Sequence, residues 1–392
     1  MIRKVKFSNF YSFNKEQEID FLAKKKKTYD YYQSKTGDQV TKVAGFIGGN
    51  ASGKTNVMRL FSFFRYFACE SSKDESAGAL DVAYKNFFNN EKPSGFYIEF
   101  EIDETVFSYD FKIQKNAIHQ ESLHTRKKEK GAKRIEIFFR NSSRVEKLHK
   151  DYFKKFPVEF LKKIRADVSL LAFLKAHYDI EIINKVFNYF ERFKTNINEK
   201  GEINNVLHQI NSLELYLQDE QLKRKMEDFI CKFDIGLSNF IIKKEVKDKE
   251  FRISVKGIHT TKEKNNSLDF GYESRGTQSL FFALANILSG LKNNNVIIID
   301  EIESGFHPEA LNKVINYFID ENENGKAQII FSSHSLGFMN KLDMHQMYLV
   351  QKNDDSESLV YRLNQVKGIR SDDNFLSKYM TGAYGAFPKI RV

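Results

Sequence analysis

Gly48 to Thr55 reads GGNASGKT: a glycine, four residues, then Gly-Lys-Thr. Glycines at these places let backbone N–H groups turn inward around a phosphate. Lys54 would reach the β- and γ-phosphates, and the Thr55 hydroxyl would serve Mg²⁺. Gly48, Asn50, Ala51, Ser52, Gly53, Lys54, Thr55 and Asn56 are therefore the expected nucleotide cradle. A second group ends the run NVIIIDE. Asp300 would hold Mg²⁺, directly or through water, and Glu301 would polarise an attacking water. By itself such a pair reads as a solvated acidic turn; the phosphate loop gives it chemistry. A third run, AQIIFSSHS, ends in Ser332, Ser333 and His334. His334 could hydrogen-bond a γ-phosphate, whereas His345 and the other histidines have no comparable context. The catalytic expectation is thus Lys54, Glu301 and His334.

A fourth stretch, ESRGTQSLFF (Glu273 to Phe282), reads as a helix mouth. Ser274 and Thr277 suit an N-cap. A helix N-terminus with small residues also suits an anion. The residues alone leave both readings open.

These groups need elements that aim them. Val43 to Gly49 is an apolar run ending in glycines, a buried strand entering a turn. The pattern TNVMRLFSFFRYFA after it is helical. IRKVKFSNFYSF alternates as a strand, and GFYIEFEID with VFSYDFKIQ reads as a hairpin turning at Asp103 and Glu104. From 141 to 232 apolar residues recur at helical spacing, which predicts an inserted helical lobe too short for an extended coiled coil. FIIKKEV and FRISVKG follow as strands. The later part then alternates helix and strand, with a helix predicted from Pro308 to Ile319. That order argues for an α/β fold with a parallel sheet. The expected division is 1–140 for the phosphate-loop part and a β lobe, 141–232 for the helical lobe, and 233–392 for the rest of the head.

The 392 residues, 41% hydrophobic and 29% charged, suit a globular protein of two lobes. Cys69 and Cys231 lack metal-ligand spacing and fit a reducing cytoplasm. No apolar run is long enough for a bilayer, so no membrane association is expected. The net charge of +10 permits a nucleic-acid partner without establishing one. The basic runs at Ala23 to Lys27 and Thr125 to Arg134 read as solvated loops.

Taken together, GGNASGKT, IIIDE, SSH and the helix mouth resemble the ATP-binding-cassette (ABC) ATPases, specifically the RecF/SMC-like branch. That family begins a helix with Leu-Ser-Gly-Gly-Gln or a variant just before the Asp-Glu strand. Ser274 and Gly276 match it; Glu273, Arg275 and Thr277 depart from it. The Glu-Ser-x-Gly-Thr form, NFYSF near the start and the tail YMTGAYGAFPKI are similar to stand-alone bacterial ATPases of defence loci, such as the ATPase subunits of PARIS (AriA) and Septu (PtuA). The resemblance covers both ends of the chain, not the helical lobe. It implies an ABC-type ATPase head with a mixed or parallel sheet around the phosphate loop, using ATP and Mg²⁺. It also implies a homodimer or higher homo-oligomer. Each ATP would then be completed by Ser274, Arg275, Gly276 and Thr277 of another subunit. A Q-loop glutamine contacting ATP and Mg²⁺ would be Gln114 or, preferably, Gln120, and the D-loop would fall at Glu303 to Pro308. The implied partner is a separately encoded toxin or nuclease, with no nuclease centre in this chain. A RecF-like ATPase of DNA repair binding duplex DNA is the alternative. A transporter subunit fits least, because of the altered signature.

Overall fold

The structure is a computed structural model and describes the chain except residues 24–27, 74–79, 81–82, 127–132, 155, 157–160, 162–163, 203–205, 235, 248–249, 306 and 388–392. Most of both basic runs, Phe306 of the expected D-loop and the end of the tail lie outside the described residues.

Two large sheets flank the helix that follows the phosphate loop. The central one has six strands in the order Lys194–Thr195, Val296–Ile299, Gln328–Ser333, Val43–Ile47, Met347–Lys352, Ser358–Arg362. The first five are parallel and the last is antiparallel. The Val43, Val296 and Gln328 strands are buried along their whole length, as central parallel strands covered on both faces are. The second sheet has seven antiparallel strands, in the order Arg144–Leu148, Ile135–Asn141, Ala117–Arg126, Thr105–Gln114, Ser94–Ile102, Ile2–Ser8, Gln17–Asp20. Its central hairpin turns at Asp103 and Glu104, with φ of 44° and 69°. Two left-handed residues in a two-residue loop match the strand twist.

The helix Lys54–Cys69 is buried on nearly every side between these sheets. Towards the antiparallel sheet, Phe67 stacks on Phe111 with centroids 3.8 Å apart, and Phe63 meets Phe96 at 5.0 Å. Towards the central sheet the same core takes in Val296, Ile298 and Ile330. Each such aromatic ring contributes about 1.5–3 kcal/mol by leaving water. This helix is therefore held rigidly from both faces, and so is the loop at its start.

The segment 141–232 does not form one separate lobe. Its helices Leu170–His177 and Glu181–Glu191 join the core around the phosphate-loop helix. Its helices Val206–Gln218 and Glu220–Ile230 pack instead with Arg275–Asn293. Between the two pairs, Lys194–Thr195 adds an edge strand beside Val296–Ile299. Each pair carries one apolar stripe, and each finds a ready apolar face elsewhere.

Candidate functional site

The phosphate loop leaves the buried strand Val43–Ile47 and ends in the first turn of Lys54–Cys69. Gly53 has φ +115°, and a Cβ there would stand 2.7 Å from Ser358 Oγ, so only glycine fits. Ser358 Oγ donates to Ser52 O and accepts from Ser12 Oγ, both at 2.7 Å. The loop is thereby braced from the NFYSF turn and from the last strand of the central sheet. Asn56 Nδ2 also donates to Ser12 Oγ, at 2.9 Å. NFYSF contains Ser12 without giving it a role, and Ser358 belongs to no motif, because it acts on the loop from 306 residues away.

Lys54 Nζ donates to Gly48 O at 2.8 Å and Gly49 O at 3.0 Å. Burial lowers its pKa, while Asp300, Glu301 and Glu303 pull it back up. The Lys54 ammonium is thus held in place by two backbone carbonyls of its own loop.

Asp300 follows the buried strand at its carboxyl end and is itself fully buried. Ser332 Oγ donates to its Oδ1, and its Oδ2 is buried without a partner. Burial raises the carboxyl's pKa; Ser332 and Thr55 lower it, Glu301 adds to the rise and Lys54 opposes it. A bare buried carboxylate oxygen beside a threonine hydroxyl suits Mg²⁺, which prefers a few hard oxygen ligands together with substrate phosphates. Among the described residues no group of three or more His, Cys, Asp or Glu is placed to hold a metal. A cation here would therefore draw on phosphate oxygens as well as on Thr55 and Asp300.

Glu301 has φ 48°, and its N–H donates to Ser332 Oγ at 2.8 Å. This turns its side chain away from Asp300 towards His334, whose Nε2 is 3.6 Å from Glu301 Oε1. The His334 Nδ1 lies 3.4 Å from Lys54 Nζ. Asn50 to Asn56, Arg59, Glu301, His334 and Lys352 line one groove of about 790 Å³. The three sequence motifs meet there, at the carboxyl ends of parallel strands, where open α/β sheets take ligands.

Ser274 caps the helix Arg275–Asn293, accepting from Thr277 N at 3.1 Å. Ser274 and Arg275 are exposed, while Thr277 is buried and donates to Asp234 Oδ2 at 2.6 Å. Glu273 is buried against His259 Nε2 at 3.0 Å. Within one chain, none of Ser274, Arg275, Gly276 and Thr277 lines the groove. The cap is exposed at Ser274 and Arg275, whereas the Thr277 side chain faces inward.

Gln120 lies away from the groove. It sits within an antiparallel strand, paired with Lys112 and Asn141, and does not line the groove. Gln114 Nε2 donates to Glu91 O at 2.8 Å, also elsewhere. Strand alternation points the next residue, Glu121, into the core. Its carboxylate accepts from Leu170 N at 2.8 Å and Leu171 N at 3.2 Å and faces buried Arg140 at 3.6 Å. The amide that does meet the Asp300 strand is Asn196. It donates to Asp300 O at 2.9 Å and accepts from Asp300 N at 2.8 Å. Asn196 follows the Lys194–Thr195 edge strand, which was hidden in a segment with a helical pattern.

A family profile described as "AAA domain, putative AbiEii toxin, Type IV TA system" matches residues 43–340, a span that includes the phosphate loop, Asp300, Glu301 and His334. The chain belongs to this family. No curated protein matches the chain. Among solved structures, it is similar to an SMC head bound to the C-winged helix domain of ScpA, at 13% identity and TM-score 0.51, covering 92% of this chain and 96% of that one. It is also similar to an SMC head with a coiled coil and joint from Pyrococcus yayanosii, at 11% identity and TM-score 0.49, covering 97% and 99%. An SMC head domain from Thermotoga maritima matches at 13% identity and TM-score 0.42, covering 92% and 98%. The first of these likenesses shows the fold, that of an SMC head. Among the described residues, no helix is long and apolar enough to cross a membrane.

Proposed function

We propose that the chain binds and hydrolyses ATP and uses the cycle as a switch in a bacterial anti-phage, abortive-infection defence system. The observation that carries the hydrolysis is the convergence of Lys54, Glu301 and His334 on one groove, with Asp300 buried at the end of the strand that leads to Glu301. The phosphate-loop amides and Lys54 hold the β- and γ-phosphates. Mg²⁺ on Thr55 and Asp300 would neutralise charge on those phosphates. Glu301 orients and polarises the water, and His334 holds the γ-phosphate opposite Lys54. Association with toxin–antitoxin systems in the family's description supports the defence setting.

Two copies would sandwich ATP head to tail, with the exposed Ser274 cap of one facing the groove of the other. Ser274 and Gly276 at a helix N-terminus offer free N–H groups and partial positive charge to a γ-phosphate. Arg275, also exposed, adds a charge. Loss of that phosphate loosens the pair and passes a signal to a separately encoded effector, a toxin or nuclease. The setting would be the cytoplasm.

Direct duplex binding has less support. The groove on the outer face of the antiparallel sheet contains Arg3, Lys4, Lys6, Lys112, Arg126 and Arg134, and four of these six, Arg3, Lys4, Lys6 and Arg134, are tied up in ion pairs with carboxylates of the chain. The deciding experiment measures ATP hydrolysis and mass, with and without ATP, for the wild type and Glu301→Gln. A chain with no hydrolysis and no ATP-dependent change in mass overturns the reading.

A further inference from the structure

The turn after Asp300 contains a carboxylate that the mechanism above leaves unused. Glu303 Oε1 accepts from two successive backbone amides, His334 N and, at 3.1 Å, Ser335 N. Its Oε2 is buried and has no partner. Such charge-assisted bonds to backbone amides are among the stronger hydrogen bonds of a protein. They fix the residues that follow the strand Gln328–Ser333, and with them the His334 ring. The opposite side of the turn is held by Ile302 N, which donates to Ser332 O at 3.1 Å.

The same turn leads directly to the signature helix. Gly305, with φ +88°, packs so closely on that helix that a Cβ would stand 3.2 Å from Arg275 O and 3.0 Å from Ser279 Oγ. A shift of the His334 loop must therefore pull Glu303, and a shift of Glu303 must move 304–305 against Arg275. Protein packing this close moves as a unit rather than deforming.

We propose that Glu303 is a positioning residue that couples the phosphate end of the groove to the first turn of the signature helix within one subunit. The coupling rests on the ATPase reading above. ATP settling against His334 is passed through the Glu303 carboxylate to Gly305 and then to Ser274–Ser279, which sets that cap for its partner. Glu303 touches no substrate atom; it acts through two backbone amides and one turn.

The test uses the full chain with Glu303→Gln, Glu303→Asp and Glu303→Ala. Gln keeps one acceptor oxygen at the same reach; Asp is one methylene too short. Hydrolysis is measured alongside affinity for a non-hydrolysable ATP analogue with Mg²⁺. Hydrogen exchange with that analogue is followed in peptides covering 48–56 and 275–280. Glu303→Ala and Glu303→Asp should lose about tenfold or more in kcat while the affinity stays within about threefold of wild type. Glu303→Gln should stay within about threefold for both. The analogue should slow exchange at 48–56 in every variant, and at 275–280 only in wild type and Glu303→Gln. If Ala prevents folding, Asp carries the test alone. Protection at 275–280 that persists in Glu303→Asp overturns the proposal, as does affinity falling in step with kcat. A wild-type chain that neither binds nor hydrolyses ATP overturns the ATPase reading as well, whereas an active wild type with unchanged Glu303 variants overturns the coupling alone.

Discussion

The imidazole of His334 bridges the gap between Lys54 and Glu301, 3.4 Å from the ammonium on one side and 3.6 Å from the carboxylate on the other. A cation and the expected water-polarising base are thus kept apart by a group that can hydrogen-bond to phosphate. Glu301→Gln keeps the size of the side chain and its reach but loses basicity. It should lower kcat by roughly 10²–10⁴-fold and leave ATP affinity near wild type. Turnover assays and equilibrium binding check this; hydrolysis at the wild-type rate would remove Glu301 from its role.

Exposure of the Ser274 cap outside its own groove gives a subunit-mixing prediction. Ser274→Arg should block hydrolysis while ATP still binds at Lys54. Lys54→Ala should bind no ATP. Mixed together, the two inactive proteins should regain about a quarter of wild-type activity or less per pair, since a shared site completes only with the intact half of each chain. A fully active monomer, seen by mass measurement during turnover, would end this account.

Asp300 yields a prediction about stability and pH. Burial raises its pKa, so the folded chain binds this proton more tightly than the unfolded one. Its contribution is fully present below the unfolded value of about 3.9 and is lost as pH rises through the raised folded value. At neutral pH the ionised group, with one bare buried oxygen, costs stability. Asp300→Asn should therefore abolish hydrolysis yet stabilise the nucleotide-free protein by about 1–3 kcal/mol at pH 7. The gain should shrink towards acid pH and should be offset when Mg²⁺ and ATP stabilise only the wild type. Thermal melts across pH, with and without the ligands, read each part.

Adjacent residues on one strand should behave in opposite ways. Glu121→Ala leaves Arg140 buried without its carboxylate and Leu170 and Leu171 without their acceptor. It should destabilise the protein by about 3–5 kcal/mol. Gln120→Ala should leave both the melt and the ATPase rate within error of wild type. A large loss of activity in Gln120→Ala, with an unchanged melt, would return that residue to the site.

Short-range patterns were readable where one element decides the outcome. The glycines of GGNASGKT, the buried Val296–Ile299 strand and the Asp103–Glu104 turn each follow from neighbours in sequence. So does Ser274, whose capping bond spans three residues. Pairings between distant elements were not readable. Ser12 and Ser358, Asn196 and Asp300, and Glu303 with the amides of His334 and Ser335 join groups that no periodicity relates. The segment 141–232 shows the same limit from another side. Its helical spacing was real, but an apolar stripe does not say which face will cover it, and two different cores did. Residue type points to Gln120, whereas strand alternation makes its neighbour Glu121 the buried residue.

The hydroxyls of Ser12 and Ser358 lie 346 positions apart and meet beneath the phosphate loop. Contacts of such sequence separation form late, because the chain between must be ordered first. During synthesis from the N-terminus, GGNASGKT emerges early, yet its brace arrives only with the strand Ser358–Arg362. A ribosome-bound fragment that stops before Ser358 would therefore carry every motif residue and still lack a shaped phosphate loop. The shape of the phosphate loop thus waits on a strand synthesised 306 residues later, a dependence that lives in topology and that no local motif encodes.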